Sequence, residues 1–277
     1  MLRLVEGLRA GGHEAILLAR AEAPLLGEAL RRGFDACPLS WRSLLEQRHK
    51  AAVIHAHDAR SHTMAAMAGC KPLVVSRRVA FPVARHALSR WKYARAAHYI
   101  AVSQFVKQTL LDAGIEASRI SVVYDGVPMQ PVSRGSEILV PASADPRKGT
   151  DMAVAGAKLA GLNPLLSQDL ERDLARAGMF LYITESEGLG SAVLLAMAAG
   201  VPVIASRTGG LPEIVEHERT GLLADNSAES IARAIRRLQE NRSLAQMLAA
   251  QARQAVAERF SAERMVCGTA AVYEALH

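Results

Sequence analysis

Short apolar runs rich in β-forming residues alternate with helically spaced ones from near the start of the chain. The runs at 15–19, 52–55, 73–76, 98–102 and 120–124 read as strands, and strands separated by helical segments predict parallel sheets covered by helices. Ser103 stands between one such run and the apolar positions Val106, Leu110 and Leu111, with Gly114 closing the segment. That order predicts a capped helix with a left-handed stop. Pro128, Pro131 and Gly135 then interrupt both periodicities, so the linker is placed at 128–136. Beyond it the alternation restarts with strands expected at 138–143, 179–184 and 201–206. Asn226 followed by Glu229 reads as a capping box ahead of Ile231, Ile235 and Leu238, opening a helical tail whose last helix spans 262–276.

Composition narrows this outline. A chain of 277 residues exceeds one average domain, so two modest domains are expected, divided as 1–130 and 131–277. With half its residues apolar and 22% charged it can bury real cores. Aromatics are only 4%, and an apolar content carried by Ala and Leu favours helices on sheets over an all-β sandwich. Cys37, Cys70 and Cys267 are odd in number, with no Cys-x-x-Cys pair, and read as reduced core thiols. Neither a secretory signal nor a transit peptide is visible, and no apolar run approaches the ~20 residues that span a bilayer. The expected location is therefore cytoplasmic.

Charge adds one feature. No acidic residue lies between Asp58 and Asp112, while Arg60, Lys71, Arg77, Arg78, Arg85, Arg90, Lys92, Arg95 and Lys107 all do. Such a stretch attracts phosphate or anionic lipid, which would place the protein peripherally at the inner face of a membrane, or else forms a solvated basic face. Nucleic acid is not expected, because the segment lacks interleaved aromatic platforms and any zinc-finger or RNP signature.

The richest chemistry lies at 179–200, where a strand pattern meets Glu187-Gly188-Leu189-Gly190-Ser191 and then a helical pattern. Strand, glycine turn and helix in that order build an anion site: glycines let backbone approach a ligand, and the helix N-terminus presents N–H groups and a positive dipole end. By itself a Gly-x-Gly is also an ordinary tight turn.

The surrounding motifs make the resemblance specific. Ser186-Glu187-Gly188-Leu189-Gly190, Ala196-Met197-Ala198-Ala199-Gly200-Val201-Pro202-Val203, Gly209-Gly210-Leu211-Pro212-Glu213-Ile214-Val215 and Thr220-Gly221-Leu222-Leu223 closely resemble the donor-site core of family 4 glycosyltransferases. Lys148-Gly149, Tyr124-Asp125-Gly126-Val127 and Val53-Ile54-His55-Ala56-His57 extend the likeness along most of the chain. The resemblance implies an α/β fold of GT-B type, with two Rossmann-like domains facing each other across a cleft. An N-terminal acceptor-side domain and a C-terminal donor domain would be joined by a terminal helix returning to the first. It implies sugar transfer from a nucleotide-diphosphate sugar to an acceptor hydroxyl, with retention and without a metal or other cofactor, of the kind used in cell-envelope glycan biosynthesis. The acceptor would be a glycan, a lipid or a small molecule.

By that resemblance Glu187 contacts sugar hydroxyls as the catalytic carboxylate. Gly188, Leu189, Gly190 and Ser191 present the diphosphate-binding turn, Lys148 with Arg147 beside it neutralises the diphosphate, and Gly209, Gly210 and Glu213 complete the donor site. His57, Arg77 and Arg78 fall on the acceptor side. Departures accompany the match: the usual second glutamate falls at Leu195, the arginine that precedes the lysine by five falls at Ser143, and Arg77-Arg78 stand where many relatives place a histidine. The stretch from Lys148 to Glu187 is short and lacks a Gly-Asp-Gly-like turn, which implies a lost strand-helix unit. The chain opens in what resembles the helix after the family's first loop. Three rivals stay open: a catalytically silent binding or scaffold protein, a sugar-nucleotide epimerase, and a metal hydrolase built on His55, His57, Asp58 and His62.

Overall fold

The computed structural model describes residues 1–84 and 86–276. The chain divides into two units, Met1–Tyr124 together with the segment from Ala262, and Asp125–Ser261.

The first unit begins with helix α1 (Leu2–Ala10) and continues through β1 (Leu17–Ala19), α2 (Pro24–Arg31), β2 (Ala36–Pro38), α3 (Trp41–Gln47), β3 (Ile54–Ala56), α4 (Ala59–Met67), β4 (Leu73–Arg77), α5 (Ala87–Ala94), β5 (His98–Ala101), α6 (Gln104–Leu111) and β6 (Ile120–Val122). β1 and β2 pair by themselves, whereas β3-β4-β5-β6 form a parallel sheet in sequence order. Ser103 caps α6 as expected, its hydroxyl accepting the Val106 N–H at 3.0 Å, and Gly114 is left-handed.

The second unit holds β7 (Glu137–Pro141), α7 (Thr150–Leu159), β8 (Leu165–Ser167), α8 (Leu170–Asp173), β9 (Ala177–Tyr182), α9 (Ser191–Ala198), β10 (Val203–Ser206), α10 (Leu211–Ile214), β11 (Leu222–Ala224), α11 (Ala228–Glu240) and α12 (Arg242–Arg259). Its parallel sheet runs β11-β10-β9-β7-β8. Helix α13 (Ala262–Glu274) belongs to the first unit, where Val266 lies against α1 at Gly7 and a Cβ on that glycine would meet its side chain.

Each sheet is buried because its helices offer apolar stripes. On α11 the residues Ile231, Ile235 and Leu238 are spaced for one face and meet Val140, Leu181 and Ile204 of the sheet. Burying side chains of this size contributes ~1.5–3 kcal/mol each. Helix α9 is apolar nearly all round, with Val193, Leu194, Ala196, Met197 and Ala198 buried, as a helix enclosed by its own unit requires.

Several expectations change. The passage between units lies at Tyr124–Asp125 rather than at 130/131. Asp125 accepts a hydrogen bond from Ser191, Val127 bridges to Ser261, and the Ser133 N–H donates to the Ala199 carbonyl, so the irregular stretch before β7 is tied to the second unit. Helix α11 is capped by Ser227, which accepts from the Ser230 N–H, and not by Asn226, whose side chain turns inward. The stretch from Lys148 to Glu187 contains α7, β8 and α8. Only Cys70 is a buried thiol; Cys37 is partly exposed and Cys267 lies on an outward face of α13.

Candidate donor and acceptor sites

The candidate donor site forms where β7, β9 and β10 end, the edge at which open parallel sheets bind ligands. Three loops converge there. The first is a single 3-10 turn, Pro146–Lys148, capped by Asp145, whose carboxylate accepts the Arg147 N–H. The Arg147 carbonyl in turn accepts from the Glu185 N–H at 2.9 Å and the Thr184 hydroxyl at 3.1 Å. These bonds fasten the turn to the loop after β9 and bring Lys148 Nζ to 3.0 Å from Glu187 Oε2.

Glu187 is held by several hydrogen bonds. Besides Lys148 it accepts from the Tyr182 hydroxyl at 2.5 Å on Oε2 and from the Gly188 N–H at 3.1 Å on Oε1. Burial, then the adjacent negative charge of Glu187 and the bond between them, raise the Tyr182 phenol above its ordinary value, so it stays a donor. The Arg147 guanidinium lies elsewhere, in a bidentate pair with Asp145 at 3.1 and 2.8 Å.

The third loop carries Gly209 and Gly210. The Gly210 N–H donates to the Glu187 carbonyl at 3.1 Å, and the Thr208 hydroxyl donates to the Glu185 carbonyl. A Cβ on Gly209 would lie 2.0 Å from the Glu187 carbonyl oxygen, and one on Gly210 would lie 2.2 Å from that of Gly188. Only glycines allow the two loops to touch along their backbones. Glu213 is partly exposed in the single-turn helix α10, and its carbonyl accepts from Arg259.

The floor of this arrangement is the N-terminus of α9. Ser191 begins the helix after Gly190, and its hydroxyl donates to the buried Asp125 at 2.8 Å. The first N–H groups of any α-helix lack internal carbonyls and carry its positive end, so an anion is favoured here. A cavity of about 220 Å³ opens beside the turn, with Ser143, Lys148, Tyr182, Ile183 and Ala192 in its wall. Leu195 is half-buried one turn into α9.

Two supports escaped the sequence. The Ser206 hydroxyl accepts from the Thr184 N–H and donates to Asn226 Oδ1 at 2.6 Å, while Asn226 Nδ2 donates to the Thr184 carbonyl at 2.9 Å. This closed ring joins the ends of β9 and β10 to the loop after β11, in a place where unpaired polar groups would be costly. Tyr182 is the other, since its bond to Glu187 was not foreseen. An aromatic residue five positions before a motif carboxylate was the only available signal.

In the first unit the acceptor-side residues lie at the ends of β3 and β4. His55 is held on both ring nitrogens, by the Tyr273 hydroxyl at 2.6 Å and the Ser76 hydroxyl at 2.9 Å. Its ring lies 3.8 Å, centroid to centroid, from that of His57, whose buried Nδ1 has no hydrogen-bond partner among the described residues. Arg77 donates to the Tyr93 hydroxyl and the Phe81 carbonyl, whereas Arg78 is exposed. Arg85 lies outside the described residues.

The metal-hydrolase cluster does not assemble. Asp58 caps α4 by accepting the Ser61 N–H, and His62 is buried among Tyr93 and Tyr99. Among the described residues no group of three metal-ligating side chains converges.

Burial, then the charge of Arg78, pushes His55 down to about 3, and burial with Lys92 pushes His62 down to about 4. His57 is lowered as well, by burial and then by His55 and Arg78. All three are therefore neutral when folded at neutral pH. Unfolding frees them to bind protons near their ordinary value of about 6.5, so their contribution to stability is complete above that pH and is lost progressively as pH falls below it toward the lowered folded values. Thermal melts are expected to show a Tm that drops steadily as the pH is lowered from about 7 toward 4, with a shallower dependence in His55→Asn. An unchanged slope in the variant would remove His55 from this account.

Residues 1–130 match the family model described as Glycosyltransferase Family 4, and residues 164–255 match that of Glycosyl transferases group 1. The two models take in most of the chain, one in each half. Each half of the chain thus matches a glycosyltransferase model, and the fold is of GT-B type.

Among curated relatives of this GT-B protein, the N-acetyl-alpha-D-glucosaminyl L-malate synthase of Bacillus anthracis is 34% identical over 101 residues, 36% of this chain and 26% of that one. A GDP-mannose-dependent phosphatidylinositol monomannoside mannosyltransferase of Mycobacterium tuberculosis is 46% identical over 69 residues, 24% of this chain and 18% of that one. The matched segments thus span about a quarter or less of these relatives' length. Solved structures extend the fold likeness further. Anabaena HepE, in complex with UDP and glucose, superposes with a TM-score of 0.86 over 99% of this chain and 95% of its own at 16% identity. Sucrose-phosphate synthase from Thermosynechococcus elongatus gives 0.77 over 99% and 92%, at 18% identity.

Proposed function

We propose that this GT-B protein transfers a sugar from a nucleotide-diphosphate sugar to an acceptor hydroxyl, retaining the anomeric configuration. The observation that carries the reading is the convergence of Lys148, Glu187 and the N-terminus of α9 beside one cavity. Structural relatives holding UDP or UDP-glucose support the class of donor.

In this reading the diphosphate lies against the turn from Gly188 to Ser191, and Glu187 accepts hydrogen bonds from hydroxyls of the donor sugar. Tyr182 and the Gly188 N–H hold its carboxylate in one orientation. The bond between the anomeric carbon and the terminal phosphate oxygen breaks while the acceptor oxygen bonds to that carbon on the same face. The acceptor proton passes to the departing phosphate oxygen, so no strong protein base is required. Negative charge grows on the diphosphate as it leaves, and Lys148 with the helix dipole meets it in place, a stabilisation supplied by the protein rather than by a divalent ion. Arg78, exposed at the end of β4, would attract an anionic group of the acceptor.

Leu195 and Ser143 favour one alternative, a protein that binds nucleotide sugars without turning them over. Calorimetric titration with UDP-, GDP- and ADP-sugars, followed by turnover with a hydroxyl acceptor, tests both readings. Binding followed by transfer supports the proposal. Binding without transfer supports the silent reading, free epimer an epimerase, and the absence of any binding would end the donor-site assignment. With the cognate donor, Glu187→Gln is expected to lower kcat about ten- to a hundredfold, because it removes a charge-assisted acceptor worth ~1.5–3 kcal/mol. Its Tm should change little, since a partly exposed ion pair contributes at most about 1 kcal/mol to folding. Unchanged turnover would show that Glu187 only shapes the turn.

A further inference from the structure

The exposed face around α5 combines two features that the transfer reading does not use. Helix α5 is capped by His86, whose ring accepts the Ser89 N–H, and it turns Ser89 inward. Leu88, Trp91 and Arg95 follow at spacings of three and four, so they share one outward face. Leu88 is 66% exposed and Trp91 37%. Just before the helix Val79 and Phe81 are also exposed, at 46% and 51%. Arg77 ties the two stretches together by donating to the Tyr93 hydroxyl on the helix and to the Phe81 carbonyl before it.

Single exposed apolar side chains are ordinary, but four large ones between positions 79 and 91 are not. The charges around them have one sign: Arg78, Arg90 and Arg95 are exposed here, and no acidic residue occurs in the sequence between Asp58 and Asp112. We propose that this face docks on an anionic lipid bilayer, with Leu88, Trp91 and Phe81 entering the headgroup boundary and the arginines meeting lipid phosphates.

Charge and apolarity together select this partner. A basic face without apolar tips suits any polyanion, and an apolar face without charge suits another protein; aliphatic and indole groups set among arginines match the boundary of an anionic membrane. A single-stranded nucleic acid would need open aromatic faces for stacking. Here the Arg95 guanidinium covers the Trp91 ring at 4.4 Å from its centroid. The inference does not depend on the nucleotide-sugar reading, and each can fail alone.

The test uses the full chain carrying Trp41→Phe, which leaves Trp91 as its one indole. Co-sedimentation and Trp91 fluorescence would be measured with vesicles of phosphatidylcholine alone and of phosphatidylcholine mixed with phosphatidylglycerol. The expected result is binding to the mixed vesicles, weakened by salt, with a blue shift of Trp91 emission. Arg90→Glu with Arg95→Glu should weaken binding at least ~25-fold, since each basic group at an anionic surface is worth about fivefold. Leu88→Ser should reduce it without altering its salt dependence. All three side chains are exposed, so unchanged melting curves would establish that the variants fold. Absence of binding to mixed vesicles, equal binding to phosphatidylcholine alone, full binding by the variants, or tighter binding to a single-stranded RNA than to the vesicles would each overturn the proposal.

Discussion

Lys148→Ala is expected to lower kcat/KM about a hundred- to a thousandfold and to leave the fold in place. A cation directed at the oxygen where charge develops contributes ~2.7–4 kcal/mol in sites of this kind. Lys148 is held for that purpose from both sides: the Asp145 cap sets its turn, and the Arg147 carbonyl anchors the turn to Glu185 and Thr184 through backbone that the substitution does not touch. Its side chain is 42% exposed and its ion pair with Glu187 adds little to folding. Glu187 would keep the Tyr182 hydroxyl and the Gly188 N–H. Kinetics with the donor found by titration, together with Tm, check the split. A variant within about threefold of the parent would mean that Lys148 only neutralises Glu187, and a large fall in Tm would mean that its role is structural.

The pairing behind that prediction joins residues far apart in the chain, and this separation marks what the sequence could reveal. The glycine turn, the helix that follows it and the lysine turn were each legible, because local chemistry fixes them: a strand pattern into Gly-x-Gly, a Pro before the lysine, a Gly after it. Their convergence was implied only by family likeness. The link of Ser191 to Asp125 and the ring of Thr184, Ser206 and Asn226 carry no periodic signal, and Asn226 even imitates a helix cap, one residue before the serine that does the capping.

The strands follow the same division. The strands β4 and β9 sit inside their sheets and carry the apolar runs Leu73-Val74-Val75 and Met179-Phe180-Leu181, which makes them readable. The missed strands β2, β8 and β11 are three-residue pieces at sheet edges or in the isolated pair. Only one neighbour defines each of them, so pairing rather than residue choice makes them strands. His55 in β3 and His57 just after it were legible as sharing a face, but the separate employment of Asp58 and His62 was not. Capping and an aromatic pocket are both tertiary outcomes.

Gly209→Ala should cost more stability than any other single methyl group added at the donor site, and it should abolish nucleotide binding even where the protein still folds. Gly209 has φ +56°, a left-handed conformation in which an L-residue pays roughly 1–2 kcal/mol. Its added Cβ would also stand 2.0 Å from the Glu187 carbonyl oxygen, with the Glu187 carbonyl carbon and nitrogen at 3.0 and 3.1 Å. Those are backbone atoms and cannot rotate away. Relief requires the two loops to part, which breaks the bond from the Gly210 N–H to the Glu187 carbonyl and displaces the carboxylate beside Lys148. Gly161 supplies the control: it is left-handed too, at φ +81°, but a Cβ there meets nothing within 4 Å. Gly161→Ala should therefore show only the conformational cost of roughly 1–2 kcal/mol and retain binding. Thermal melts and calorimetric titration of the two variants separate strain from collision. If Gly209→Ala matched Gly161→Ala in both measurements, the loops would not be pressed together as described, and the orientation of Glu187 would need another cause.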